Sequence, residues 1–280
     1  MIDLINKWLF GGVQPKKKLP FSADQLTAEI KTNRKTLNLV DNWVDDDAFA
    51  RSWFNYGVPD YIKKDINRAI GEDPTYTDIL LYVSKKYFEK PAYLEIGVSV
   101  GKNFFQILEG NPAATLTGFD IEDINPVLSS RLILESTTDW DTPPDSIKKN
   151  PSTLKTFRFQ NRKVQYMCAD VWDYNSWSKL NGKKFNIVFS DALHTPEAIL
   201  FEFEMLVKYN LLDEKFVIVW DDLVGKMKRS FYQIIKRYNK AFGLKEIYLF
   251  NVNGWIGEHE TPHAIGIISN FSFSHEGRSH

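Results

Sequence analysis

The chain has 280 residues, with 35 basic and 36 acidic side chains and a formal net charge of −1. This length allows one large domain with an appendage, and 43% hydrophobic residues can fill a sizeable core. The balanced charge gives no reason to expect nucleic acid or an anionic membrane as a partner. The single cysteine, Cys168, excludes an intrachain disulfide and a cysteine-based zinc site. Small-molecule chemistry or a protein substrate is favoured.

The two ends of the chain differ from its middle. No stretch approaches the roughly 20 apolar residues that a membrane span needs, and Asp3 and Lys7 interrupt the apolar start, so we expect no membrane span and a cytoplasmic location. Residues 1–90 hold helical patterns and an aromatic cluster, which predicts a helical N-terminal appendage that caps the substrate site. Residues 274–280 are interpreted as a tail with an ending that looks vector-derived.

Between residues 91 and 273, short β-rich apolar runs alternate with amphipathic helical segments. Long crossovers between the first five runs predict parallel strands with both faces covered, and a short loop between the last two predicts an antiparallel hairpin. The predicted fold class is α/β, with a seven-stranded, mostly parallel sheet. Residues 136–161 interrupt one crossover and are predicted to be a lid, a binding loop or a mobile excursion. The seven predicted strands span residues 93–96, 116–121, 164–168, 185–190, 216–220, 247–251 and 264–268.

The junction between the first strand and the helix after it is the first candidate binding site. Residues 93–101 read YLEIGVSVG, and a helical pattern begins at Lys102. Glycines let the backbone approach a ligand closely, while the free N–H groups of a helix start favour polar or anionic ligand groups. A dinucleotide fingerprint would need a third glycine where Phe104 stands, which disfavours a nicotinamide or flavin cofactor.

The pattern Glu95-x-Gly97-x-Ser99-x-Gly101 resembles the first motif of the class I S-adenosyl-L-methionine-dependent methyltransferases. Ser99 replaces the glycine of the commonest form of that motif. The resemblance implies a Rossmann-like sheet of the methyltransferase type, a cofactor-binding domain over residues 91–273, and contacts from these four residues to the cofactor.

Acidic residues end the next two strands of the predicted sheet. Asp120 lies where an acid can accept hydrogen bonds from both ribose hydroxyls of a nucleoside, and Glu122 is the alternative. For Asp170, the resemblance implies a hydrogen bond from the adenine amino group. The other interpretation of each acid is a helix cap, a position that Asp favours.

Two further motifs end the fourth and fifth strands. Asp191-Ala-Leu-His194 follows the fourth strand, and Asp221-Asp222 follows the fifth. The carboxyl ends of adjacent parallel strands meet, so these carboxylates could converge and hold a hard divalent ion. The two motifs resemble the O-methyltransferase-like subgroup, the family 24 type, which implies Asp191, Asp221 and Asp222 as ligands of Mg, with Asp191 also beside the cofactor. Helix capping, or contact with cofactor or solvent, is the open alternative.

His194 and Asp191 are the candidate catalytic residues. Because imidazole titrates near neutral pH, His194 could take a proton from a substrate hydroxyl as the methyl group transfers; its other interpretation is a residue that holds a loop or a metal-bound water. Aromatic residues make up 14% of the chain and suit a natural-product, sugar or phenolic acceptor. His259 and His263, in the loop of the last hairpin, could contact the substrate but are interpreted as surface residues.

Three alternative functions stay open at this point. A nitrogen-directed methyltransferase of the same fold would need no metal, a binding or scaffold protein would keep the fold without catalysis, and a nicotinamide enzyme is disfavoured by Phe104. The expected partner is a small-molecule acceptor, and the aromatic cluster of the appendage makes a homodimer an option.

Overall fold

The computed structural model describes residues 14–44, 48–66, 70–254 and 262–273. Within these residues no helix is long and apolar enough to cross a membrane. The helices of the described chain are α1 Ala23–Val44, α2 Ala48–Phe54, α3 Tyr76–Tyr87, α4 Lys102–Gly110, α5 Pro126–Ser129, α6 Tyr174–Ser178, α7 Pro196–Lys208 and α8 Met227–Phe242. Its strands are β1 Ala92–Ile96, β2 Thr115–Asp120, β3 Ile133–Trp140, β4 Ser152–Phe159, β5 Arg162–Cys168, β6 Phe185–Ser190, β7 Leu212–Trp220, β8 Glu246–Val252 and β9 His263–Ser269.

The strands form a single sheet in the order β3-β4-β5-β2-β1-β6-β7-β9-β8. The five central strands, from β5 to β7, are parallel, whereas β9 is antiparallel to both β7 and β8. All seven predicted strands are present, and the terminal hairpin is confirmed. The predicted α/β class is therefore confirmed: the sheet is mostly parallel and includes the predicted C-terminal antiparallel hairpin.

The predicted number of strands is wrong, because the segment at 136–161 contributes to the sheet. β3 and β4 pair antiparallel, and β4 pairs antiparallel with β5, so this hairpin extends the sheet at one edge. Most residues of β3 are exposed. An edge strand of this kind needs no buried face, and it therefore lacks the apolar alternation by which strands are recognised. The loop between the two strands spans residues 141–151.

Helices cover both faces of the sheet, as predicted. Side chains alternate along each strand, so in β6 Ile187 and Phe189 join one apolar cluster and Val188 joins the other. The first cluster includes residues of α1, α3 and α4, and the second includes residues of α6, α7 and α8. The N-terminal helices thus share an apolar core with the sheet, and the carboxyl ends of its parallel strands are left free to form a site.

Candidate active site

The turn after β1 depends on backbone conformations that glycine adopts easily. Gly97, Ser99 and Gly101 have φ angles of 83°, 51° and 85°. A Cβ atom on Gly97 would lie 2.4 Å from backbone atoms of Asp191 and Ala192, so only glycine allows the turn after β1 to touch the turn after β6. Ser99 adopts a left-handed conformation although it has a side chain. These three left-handed residues therefore set the conformation of the turn at the edge of the sheet.

Two predicted cofactor-binding residues, Gly101 and Glu95, mainly contact other parts of the protein. Gly101 precedes α4, and a Cβ atom there would lie 2.8 Å from the Leu128 side chain. The buried carboxyl group of Glu95 accepts hydrogen bonds from the Tyr93 hydroxyl at 2.6 Å and from the Asn103 amide at 2.9 Å. Burial raises the pKa of Glu95 to about 8. Glu95 therefore fixes β1 against α4 from inside the protein.

A cavity of about 270 Å³ lies at the carboxyl ends of β1, β2, β5 and β6. Its wall contains most of the predicted cofactor residues but neither Glu95 nor Gly101. The predicted residues in the wall are Gly97, Ser99, Asp120, Glu122, Asp170 and Asp191. The sheet topology therefore brings together acids that are distant in the sequence.

The two acids at the ends of β2 and β5, Asp120 and Asp170, each accept hydrogen bonds at both carboxylate oxygens. Asp120 accepts hydrogen bonds from the backbone N–H groups of Ser99 at 2.7 Å and Glu122 at 2.9 Å. Asp170 is buried and accepts from the Ser146 hydroxyl at 2.5 Å and from the Trp172 backbone N–H at 3.0 Å. These hydrogen bonds orient both carboxylates. Each carboxylate oxygen can accept a second hydrogen bond, so both acids can still bind a ligand.

The N-terminal segment contacts the turn after β1. The indole N–H of Trp53 donates a hydrogen bond to the Val100 carbonyl oxygen, and the Lys102 ammonium donates to the Tyr56 carbonyl oxygen. The Tyr56 side chain is 58% exposed and forms part of the cavity wall. The appendage thus supplies an aromatic ring to the site.

A second group of polar side chains lies where β7 ends and β9 begins. His263 Nδ1 is 2.7 Å from an Asp221 carboxylate oxygen and 3.7 Å from an Asp222 oxygen. His263 keeps a side chain that is 24% exposed, but it also contacts Asp221, because β9 runs antiparallel to β7 and its first residue therefore meets the end of β7. The predicted antiparallel hairpin is the sequence feature from which the position of His263 beside the end of β7 could have been inferred. His259 lies outside the described residues.

His194 lies between two carboxylates. Its Nε2 atom is 3.0 Å from an Asp191 oxygen, and its Nδ1 atom is 3.4 Å from an Asp222 oxygen. The hydrogen bond with Asp191 raises the pKa of His194. Burial raises the pKa of Asp191 to about 6, although the hydrogen bond with His194 opposes that effect. The pair is therefore held as a hydrogen-bonded unit at the edge of the cavity.

Helix capping does not account for these acids. The residue before α7 is Thr195, whose hydroxyl accepts from the Ala198 backbone N–H, and α8 follows Lys226 without a side-chain cap. The cap of α6 is Asp173 and not Asp170. The acids at the strand ends therefore do not serve as the caps of α6, α7 or α8.

The described residues include one set of side chains that could hold a metal ion. Asp221, Asp222 and His263 each offer a ligand atom, and these atoms lie within 4.8 Å of one another. Two carboxylate oxygens and an imidazole nitrogen fit a divalent ion, and the nitrogen donor widens the choice from Mg to ions such as Mn. Asp191, the remaining predicted ligand, faces His194 and is not in this set.

Comparison with known proteins gives distant likenesses to solved structures. No family model and no curated protein matches the sequence. Among solved structures, the plantazolicin methyltransferase BpumL with SAH is 14% identical, with a TM-score of 0.43 over 88% of this chain and 99% of that one. The N-methyltransferase NodS from Bradyrhizobium japonicum is 14% identical, at 0.42 over 87% and 99%. A putative caffeoyl-CoA O-methyltransferase from Staphylococcus aureus is 13% identical, at 0.41 over 85% and 98%. These scores are too low to support a function.

Proposed function

We propose that the chain is an S-adenosyl-L-methionine-dependent methyltransferase that methylates a hydroxyl group of a small molecule. The observation that carries this proposal is the cavity whose wall joins the glycine turn, Asp120 and Asp170 to Asp191. A nucleoside ligand needs acceptors for its hydroxyls and its base, and an acceptor hydroxyl needs a base of its own. The residues proposed for both requirements lie at one edge of one sheet.

Each part of the cofactor has a candidate partner in the cavity. Asp120 would accept from the ribose hydroxyls, and Asp170 from the adenine amino group. The turn from Gly97 to Gly101 and the N–H groups at the start of α4 would bind the polar amino acid moiety. When bound, the cofactor supplies a methyl group on a sulfonium whose positive charge makes the thioether a good leaving group.

His194 is the proposed general base, and Asp191 positions it. Asp191 holds Nε2 at 3.0 Å, and Nδ1, which is 3.4 Å from an Asp222 oxygen, would exchange that longer contact for a substrate hydroxyl. His194 would accept the hydroxyl proton at Nδ1 while the acceptor oxygen takes the methyl group and the thioether leaves. Holding the two reactants in line provides much of the acceleration.

Asp221, Asp222 and His263 would hold a divalent ion if the enzyme uses one. Such an ion would lower the pKa of an acceptor hydroxyl. Mg is the ion expected from the sequence, and the imidazole donor of His263 also suits Mn. A nitrogen acceptor would not need this ion.

The acceptor is proposed to be a flat phenolic or sugar-like molecule. Tyr56, which is 58% exposed, presents its ring to the cavity. Aromatic walls suit such acceptors. Trp53 and Phe54, two residues of the aromatic cluster, are buried and do not line the cavity.

The test is transfer of a labelled methyl group from S-adenosyl-L-methionine to a set of phenolic and sugar hydroxyl compounds, with catechol as the first probe. We expect transfer, and we expect His194→Ala to reduce kcat by about 10²-fold or more because the proton acceptor is lost. The affinity for S-adenosylhomocysteine should stay unchanged in that variant. Wild-type turnover by His194→Ala would remove His194 from the mechanism, and transfer that is insensitive to a chelator would favour an acceptor that needs no metal.

A further inference from the structure

The loop at residues 141–151, between β3 and β4, lies against the cavity at the carboxyl edge of the sheet. Ser146 is 8% exposed although it belongs to a loop, and its hydroxyl donates to the buried carboxylate of Asp170 at 2.5 Å. The same hydroxyl accepts from the Lys148 backbone N–H at 3.1 Å. The Lys148 ammonium contacts the Cys168 sulfur at 3.1 Å. The loop is therefore attached to the end of β5 at two points.

Ile147 lies between these two attachment points and is 71% exposed. It lines the 270 Å³ cavity and also a neighbouring cavity of about 660 Å³. The two cavities share Ile147, Asp170 and Leu193 in their walls, and Leu193 is 37% exposed. Two exposed apolar side chains in the same walls as a buried carboxylate suit a flat ring with a hydrogen-bond donor at its edge. Covering such side chains with a ring removes apolar surface from water.

We propose that the loop between β3 and β4 forms one wall of a nucleobase subsite, in which Ser146 orients Asp170 toward an exocyclic amino group and Ile147 covers one face of the ring. This inference rests on the proposed function and adds to it two residues, Ser146 and Ile147. Ser146 is a positioning residue, because it acts through Asp170. With one oxygen held by Ser146 and the other by the Trp172 N–H, the carboxylate cannot rotate away from the ring edge.

The subsite should distinguish an amino group from a carbonyl group on the base. S-adenosylhomocysteine carries an amino group, a hydrogen-bond donor, at position 6 of the purine. S-inosylhomocysteine carries a carbonyl oxygen at that position, and this oxygen cannot donate a hydrogen bond to a carboxylate. A site built to accept a hydrogen bond rejects a ligand that leaves its buried polar group unpaired. We expect the unmodified chain to bind the adenosyl compound at least about tenfold more tightly.

Calorimetric titration with both compounds tests the inference. Ser146→Ala should weaken binding of S-adenosylhomocysteine and bring the ratio of the two affinities close to one, while Ser146→Thr, which keeps the hydroxyl, should restore the ratio. Ile147→Ala should weaken both compounds about three- to tenfold without changing the ratio, because the covered area is the same for both bases. Ser178→Ala, at a half-buried serine on α6 that lines neither cavity, is the matched control and should change neither affinity.

The outcomes separate this inference from the proposed function. If the unmodified chain binds S-adenosylhomocysteine but Ser146→Ala keeps its affinity and its ratio, the role of Ser146 is overturned. Unchanged affinities in Ile147→Ala would overturn the role of Ile147, and that variant should fold because its side chain is exposed. If the unmodified chain binds neither compound, the proposed function itself fails.

Discussion

Gly97 shows how one residue determines whether the cleft can form. Its backbone has a φ of 83°, and the position of its missing Cβ atom lies 2.4 Å from the backbone of the turn after β6. A side chain there would meet both a conformational cost and a collision with main-chain atoms, which cannot move aside as a flexible side chain would. The contact between the two turns brings Asp191 to the cavity.

Gly97→Ala is predicted to lower the free energy of unfolding by at least about 3 kcal/mol, as the sum of left-handed strain and collision. Gly182 offers a matched control, since its φ is 81° and nothing lies within 4 Å of its Cβ position. Gly182→Ala should cost only about 1–2 kcal/mol. Urea denaturation of both variants measures the difference, and equal losses would show that the collision at Gly97 is absent.

The site residues differ in how well a single sequence predicts them. Asp120, Asp170 and Asp191 follow apolar runs that read clearly as strands, and the structure places all three in one cavity wall. Ser146 carries no such signal, because a serine in a Pro- and Asp-rich segment looks like an ordinary loop residue. Its burial depends on a hairpin whose edge strand is mostly exposed.

At the scale of elements, the terminal hairpin does more than complete the sheet. β9 pairs with β7 from Trp220↔Gly266 onward, which leaves His263 beside the end of β7. Because β9 runs antiparallel to β7, His263 lies near Asp221 and Asp222. A β9 strand in the parallel direction would place His263 at the opposite edge of the sheet. Sequence reasoning predicted the hairpin correctly but did not follow its direction to this residue.

His263→Ala is predicted to weaken binding of Mn²⁺ at least about tenfold, because the variant removes one of three ligand atoms in the set. His194→Ala should keep the affinity, since His194 lies outside that set. Calorimetric titration of the unmodified chain and both variants with Mn²⁺ provides the comparison. Loss of binding in His194→Ala together with normal binding in His263→Ala would place the ion elsewhere, near Asp191.

At the scale of the whole molecule, the sheet order decides which distant residues meet. Parallel strands with helical crossovers on both faces place the ends of β1, β2, β5, β6 and β7 along one edge. This arrangement follows from apolar runs of strand length and from crossovers long enough for helices, so the sequence predicts it well. The β3–β4 hairpin at the edge of the sheet has few buried residues, so apolar runs do not predict it.

The N-terminal helices tie the appendage to the same edge. α1 and α3 share an apolar core with the sheet, and Trp53 and Lys102 link the appendage to the turn after β1. A ring from the appendage, Tyr56, therefore reaches the cavity. The prediction of a substrate cap over residues 1–90 is consistent with this placement and stays a prediction.

The central claim is that this edge of the sheet binds S-adenosyl-L-methionine. Calorimetric titration of the full chain with S-adenosylhomocysteine, beside a titration with NAD, tests it most directly. We predict one bound S-adenosylhomocysteine per chain, no heat from NAD, and an affinity about 10- to 100-fold weaker in Asp120→Asn, where an acceptor for the ribose hydroxyls is lost. No binding of S-adenosylhomocysteine at high micromolar concentration, or preferential binding of NAD, would contradict the claim.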